Sequence, residues 1–178
     1  MKKKDSYILW FNEIGKEDIA FVGGKGANLG EMTSFKIPVP NGFCVTSKAY
    51  FEFLAFNKLT PKIKQILKMV DIENPQTLNE ASQKIKKIIV QGTIPKEIAR
   101  DIMDSYLKLG GIIRQALVAI RSSATAEDLP TASFAGQQRT FLNVKGEANV
   151  VESVRECWAS LFEARAIFYR QEKGFDHF

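Results

Sequence analysis

Apolar and polar positions fall into short blocks, and the spacing within each block predicts its structure. Residues 7–11 form a brief apolar run with strand character. Residues 24–34 read as a helix that opens directly out of a glycine turn. Residues 36–42 carry Pro38 and Pro40, so they predict a stiff extended loop. A short buried strand follows at 43–45. Thr46 or Ser47 can cap a helix over 48–56, and a second helix runs from Pro61 to about Met69. Thr77 caps a third helix, which reaches about Val90. Pro95 opens a fourth, which reaches about Leu109 and is stopped by Gly110 and Gly111. Ile98, Ile102, Met103, Tyr106 and Leu107 share one face of that helix.

The second half changes character. Residues 116–120 are continuously apolar and predict a central strand buried on both faces. Residues 124–137 are small and polar and read as a mobile loop. Residues 140–144 form the returning strand. Val150, Val154, Cys157, Leu161, Ala164 and Phe168 then recur at three and four residues, with Trp158 and Phe162 widening the stripe. They predict one long helix over about 148–172, ended by Gly174. The fold class is α/β in the α+β sense, a small mixed sheet flanked by helices.

Composition narrows the function classes. The 178 residues are 45% hydrophobic and 25% charged, which excludes a disordered, collagen-like or coiled-coil chain. The 25 Lys and Arg against 20 Asp and Glu give a net charge of +5, compatible with phosphate-bearing ligands. The lysine runs at 2–4 and 84–87 read as solvated surface, not a nucleic-acid stripe. Cys44 and Cys157 are far apart and form no metal or disulfide framework, a usage that fits a reducing cytoplasm. No segment reads as a signal peptide or a membrane span. The single histidine, His177, leaves no Ser-His-Asp or Cys-His mechanism centred in the chain unless that residue folds back.

Two motifs carry candidate chemistry. The first is the cluster Gly23, Gly24, Lys25, Gly26 and Gly30. It lacks the Ser or Thr and the leading glycine of a Walker A loop, and its glycine spacing misses the dinucleotide fingerprint by one residue. Free N–H groups at a helix start beside a lysine nevertheless favour an anion. A tight turn with close helix packing at Gly30 is the competing reading. The second motif is Arg121 at a strand exit, followed by a Ser/Thr/Gly-rich loop. A guanidinium fork matches phosphate oxygens, although an ion pair with Glu127 or Asp128 would equally explain it. Glu127 and Asp128 read as solvated or capping carboxylates before they read as Mg²⁺ ligands, and both cysteines read as core.

The string Ile120-Arg121-Ser122-Ser123-Ala124-Thr125-Ala126-Glu127-Asp128-Leu129-Pro130, with Ala132-Ser133-Phe134-Ala135-Gly136-Gln137-Gln138, resembles the ATP-binding region of the phosphoenolpyruvate synthase (pyruvate, water dikinase) family. The segments 22–32 and 157–162 are similar to the same family, as are Val39-Pro40, Gly42-Phe43, Arg165-Ala166 and Tyr169-Arg170. Pyruvate, phosphate dikinase and rifampin phosphotransferase share that architecture. The resemblance implies the first lobe of an ATP-grasp-type domain over 1–178, with Lys25 and Arg121 on ATP phosphates. Ser123, Thr125, Gly136, Gln137 and Thr140 complete the implied nucleotide contacts, on or beside a loop at 122–138 above the triphosphate. Mg²⁺ ligands and adenine contacts are expected in a second lobe. Phosphate would pass through a phosphohistidine to pyruvate on further domains, all expected outside this chain, which by itself should not turn over. The alternatives are a rifampin phosphotransferase-like lobe and a stand-alone nucleotide-binding module. Arg139 departs from the family pattern, which expects an acidic residue there.

Overall fold

The computed structural model describes residues 2–110, 115–123 and 139–178. The elements run β1 (Ile8–Trp10), α1 (Ile19–Ser34), β2 (Phe43–Val45), α2 (Ser47–Phe56), α3 (Leu59–Lys68), α4 (Pro75–Val90), α5 (Lys96–Gly110), β3 (Val118–Arg121), β4 (Thr140–Val144), α6 (Glu147–Ser160) and α7 (Ala164–Glu172). The α/β class holds, while the expected small mixed sheet is not seen among the described residues. Among the described residues there are two separate antiparallel pairs, β1 with β2 and β3 with β4. The expected mobile loop at 124–137 lies outside the described residues.

The strand at 118–121 is not buried on both faces. It pairs only with β4 among the described residues, and its residues alternate between half-buried and exposed. Val118 and Ile120 turn inward, whereas Leu117 and Leu142 are 65% and 67% exposed. A continuous apolar run records hydrophobicity without recording how many partners a strand finds. A break between the partners Val118↔Val144 and Ile120↔Phe141 marks a bulge, and Asn143 there adopts φ +58.

The long C-terminal helix is in fact two, α6 and α7. Leu161 and Phe162 donate to Trp158 and Ala159, three residues back, so the last turn tightens. Glu163 then takes extended backbone and α7 starts afresh. The bend drives Phe162 into the core, where it is fully buried. The Arg170 guanidinium reaches back from α7 to donate to the freed Leu161 carbonyl.

Helix starts differ from expectation in instructive ways. The cap of α4 is Asn74, not Thr77: its side chain accepts from the Gln76 N–H at 3.0 Å, and Pro75 occupies the first helical position. Thr77 instead donates to the Asp71 carbonyl at 2.8 Å. Lys58 sits at φ +53 between α2 and α3, so α3 starts at Leu59 and Pro61 falls within its first turn. Thr46 occupies the cap position of α2, but its hydroxyl donates to the Ser6 carbonyl at 2.7 Å and ties the helix to the N-terminal segment. On α5, Ile98, Ile102 and Tyr106 are buried as expected, while Leu107 is exposed.

Apolar burial divides into two clusters. The larger joins α2 through α7 and includes Phe53, Ile63, Ile85, Ile102, Trp158 and Phe162. Phe53 and Trp158 pack with ring centroids 4.9 Å apart. The smaller comprises Leu9, Ile14, Val22 and Ala27, with Phe11, Phe21 and Cys44 against it. It lies directly beneath the glycine cluster. No helix among the described residues is long and apolar enough to cross a membrane.

Candidate functional site

The glycine turn is real and sharper than a helix start requires. Residues 19–22 are already helical, then Gly23 breaks the helix with φ 70 and ψ 173. That backbone region is essentially closed to residues with a Cβ. The helix restarts at Gly24, as the sequence predicts, with Gly23 in the cap position. Three glycines then make close contacts. A Cβ on Gly23 would stand 2.2 Å from the Ser123 carbonyl oxygen. One on Gly26 would stand 2.9 Å from Cys44 Sγ, and one on Gly30 would stand 2.5 Å from the Ile14 carbonyl oxygen. The tight-packing reading of Gly30 is therefore correct, and it coexists with the turn at Gly23.

The second motif arrives at the same place. Ser123 Oγ accepts the Gly26 N–H at 3.0 Å, across 97 residues of sequence. Arg121 is the last residue of β3 and pairs with Thr140, the first of β4. Both are exposed, whereas Ser122 is buried. Lys25 is half-buried and already engaged in a polar interaction. The structure thus brings Lys25, Arg121, Ser123 and Thr140 to one end of the β3–β4 pair. Thr125, Gly136 and Gln137 lie outside the described residues, as do Glu127 and Asp128. The groove of about 430 Å³ between β4 and α6, lined by Phe141, Val144, Lys145, Glu152 and Glu156 among others, contains none of the candidate residues.

The hydroxyl of Ser123 satisfies an amide that the helix cannot. The first N–H groups of a helix have no intrahelical acceptor, and glycine at the cap position offers no side chain. Ser123 supplies the missing oxygen from another strand. The restarted helix directs the positive end of its dipole to this turn. With the lysine and the exposed guanidinium of Arg121, this end of the molecule concentrates donors and positive charge suited to a polyanion.

The remaining candidates are placed away from that role. Arg139 Nε stands 3.6 Å from Glu163 Oε1, so its charge is directed to the α6–α7 corner. His177 Nδ1 accepts from Arg170 Nε at 3.2 Å. Burial, reinforced by the Arg170 charge, pushes the His177 pKa down to about 4. Burial pushes both thiols, Cys44 and Cys157, up to about 12; Cys157 is buried as expected of a core cysteine, while Cys44 is half-buried against the smaller cluster. The described residues contain no cluster of three or more His, Cys, Asp or Glu placed to hold a metal ion.

Tyr106 anchors the β3–β4 pair in a way its sequence position did not announce. It reads as one more apolar position on α5, yet its hydroxyl donates to the Ala116 carbonyl at 2.7 Å and accepts the Gly146 N–H at 2.8 Å. It therefore fastens the chain just before β3 and just after β4. The available sign was chemical: a tyrosine in an otherwise aliphatic and methionine stripe needs a partner for its hydroxyl when buried.

Comparison with known proteins places this arrangement. Residues 19–178 match the family model described as the pyruvate phosphate dikinase AMP/ATP-binding domain. The chain belongs to that family. It is 51% identical over 177 residues to a probable phosphoenolpyruvate synthase of Methanothermobacter thermautotrophicus, covering 98% of this chain and 26% of the relative. It is 48% identical over 174 residues to a probable phosphoenolpyruvate synthase of Methanocaldococcus jannaschii, covering 97% of this chain and 15% of the relative. It is also 44% identical over 182 residues to the phosphoenolpyruvate synthase of Aquifex aeolicus, covering 99% of this chain and 21% of the relative. The chain therefore spans about a quarter or less of the length of these relatives. The rifampin phosphotransferase alternative gains no support from these matches.

Proposed function

We propose that this chain is an ATP-binding lobe of the ATP-grasp type, acting within a phosphoenolpyruvate synthase-like enzyme. The observation that carries the reading is the convergence of two distant motifs, joined by the Gly26–Ser123 hydrogen bond. Family membership supports the nucleotide. Lys25 and Arg121 neutralise phosphate charge. Thr140 stands beside Arg121 on the facing strand and offers a hydroxyl. Thr125, Gly136 and Gln137 belong to the same nucleotide contacts by resemblance to the family.

In the whole enzyme, ATP supplies the phosphoryl group, which passes to a histidine and then to pyruvate. The names of the relatives, phosphoenolpyruvate synthases, support the enzyme class, and the family description supports ATP; the histidine relay rests on the resemblance to the family. Mg²⁺ accompanies the nucleotide, with its ligands outside this chain. Acceptor, phosphohistidine and second lobe also lie outside it, so the chain alone binds without turnover. Cytoplasmic location follows from the same metabolic role.

A titration of isotopically labelled chain with ATP, followed residue by residue by NMR, tests the reading and tolerates millimolar affinity. Shifts should concentrate at 23–26 and 121–123. Lys25→Ala and Arg121→Ala should each weaken binding by about 1.5–3 kcal/mol, as expected for a hydrogen bond to a charged group. Unchanged affinity in both variants would sink the assignment.

A further inference from the structure

We propose that Ser123 is a positioning residue, whose hydroxyl locks the Gly23 turn to the Arg121 strand exit and so holds the two phosphate-facing motifs in one register. The inference rests on the nucleotide reading above and deepens it. Resemblance to the family places Ser123 among the nucleotide contacts. Its geometry gives it another task. Its oxygen already accepts the Gly26 N–H at 3.0 Å. That N–H is the third of the restarted helix, and Gly23 has no side chain with which to cap it. Ser123 performs the capping from a strand that is distant in sequence.

The fit around Gly23 strengthens the lock. The Ser123 carbonyl oxygen, carbonyl carbon and Oγ lie 2.2, 2.5 and 2.5 Å from where a Gly23 Cβ would stand. The turn is therefore open to Ser123 only because residue 23 is glycine. Ser122, the residue between Arg121 and Ser123, is buried. The geometry also sorts the amides. Gly26 is occupied, so its amide is held on Ser123 and not offered to an incoming phosphate. Without Ser123, the Gly26 amide would be released and the helix start would lose its fixed spacing to Arg121. Arg121 and Lys25 would keep their charges but lose their common frame.

The test uses the full chain with Ser123→Ala and Ser123→Thr. Amide hydrogen exchange is first read without nucleotide. Gly26 should be protected in the unsubstituted chain. In Ser123→Ala its exchange should rise about tenfold, the loss of one hydrogen bond, and Ser123→Thr should restore protection. ATP affinity is then measured for all three chains. It should fall about five- to tenfold in Ser123→Ala and recover in Ser123→Thr. An unprotected Gly26 amide in the unsubstituted chain overturns the lock, whatever ATP does. Released Gly26 with unchanged ATP affinity overturns the positioning role. If the unsubstituted chain binds no ATP, the nucleotide reading fails, and the lock is then decided by Gly26 exchange in the three chains.

Discussion

Gly23 and Gly174 share a backbone sign but not an environment. Gly23 adopts φ +70 and has the Ser123 backbone in its missing side-chain position; Gly174 adopts φ +69 and has nothing within 4 Å. An alanine at Gly174 meets only the intrinsic penalty of positive φ, about 1 kcal/mol. An alanine at Gly23 meets a Gly-only backbone region and a backbone oxygen that cannot yield without moving β3. Gly23→Ala should therefore destabilise the chain by about 3 kcal/mol or more, against about 1 for Gly174→Ala. Urea unfolding of both variants checks this. Equal losses would mean that the Gly23–Ser123 approach has no energetic weight. The same residue explains why the sequence motif resisted naming. Its glycines serve three separate contacts, with Ser123, Cys44 and Ile14, so their spacing follows packing partners and not a phosphate-loop template.

Tyr106 shows how one helix sets the geometry of a strand pair. Its hydroxyl joins the segment before β3 to the segment after β4, at the end of the pair opposite Arg121 and Thr140. Tyr106→Phe preserves the buried ring and leaves the Ala116 carbonyl and the Gly146 N–H without that partner. It should destabilise the chain by about 1–3 kcal/mol, and amide exchange of Val118 and Val144 should rise. A stability loss without faster exchange in the strands would place the effect in α5 alone. At this scale, the sequence was legible wherever local periodicity decides. The helix apolar stripes, the strand at 140–144 and the restart at Gly24 follow from spacing and turn chemistry. The α6–α7 break was illegible because the apolar stripe runs through it: Leu161, Phe162 and Ala164 keep helical spacing, while the bend is set by Phe162 burial and by Arg170 capping Leu161. The separate strand pairs were illegible for a related reason, since pairing is long-range and hydrophobicity is local. Of the candidate site, Lys25 and Arg121 were singled out by residue chemistry. Their convergence through Ser123 was not, because nothing local records a contact across 97 residues.

Across the whole molecule, apolar packing divides between two clusters. The large core joins α2 to α7, while the small cluster lies under Gly26 at the glycine turn. The C-terminal corner belongs to the large core and carries its most sensitive charges. Arg170 is only 7% exposed, lies over the Phe162 ring with 5.4 Å to its centroid, and is drawn down to a pKa of about 10 by burial. His177 covers it as a neutral acceptor, its Nδ1 receiving the Arg170 Nε–H. Protonating His177 would desolvate a second positive charge and remove that acceptor. Its pKa in the folded chain is about 4, against an ordinary 6.5. Between those values the unfolded chain binds more protons than the folded one, so stability is fully present above pH 6.5 and is lost as pH falls through about 4. His177→Asn keeps an acceptor for Arg170 and removes the titration. Denaturant midpoints measured at pH 7 and pH 4.5 should therefore fall further for the unsubstituted chain than for the variant. Carboxylate titration affects both chains alike, so the difference reports the corner itself. Parallel losses would show that His177 is solvated in the folded state and that Arg170 stands there without its help.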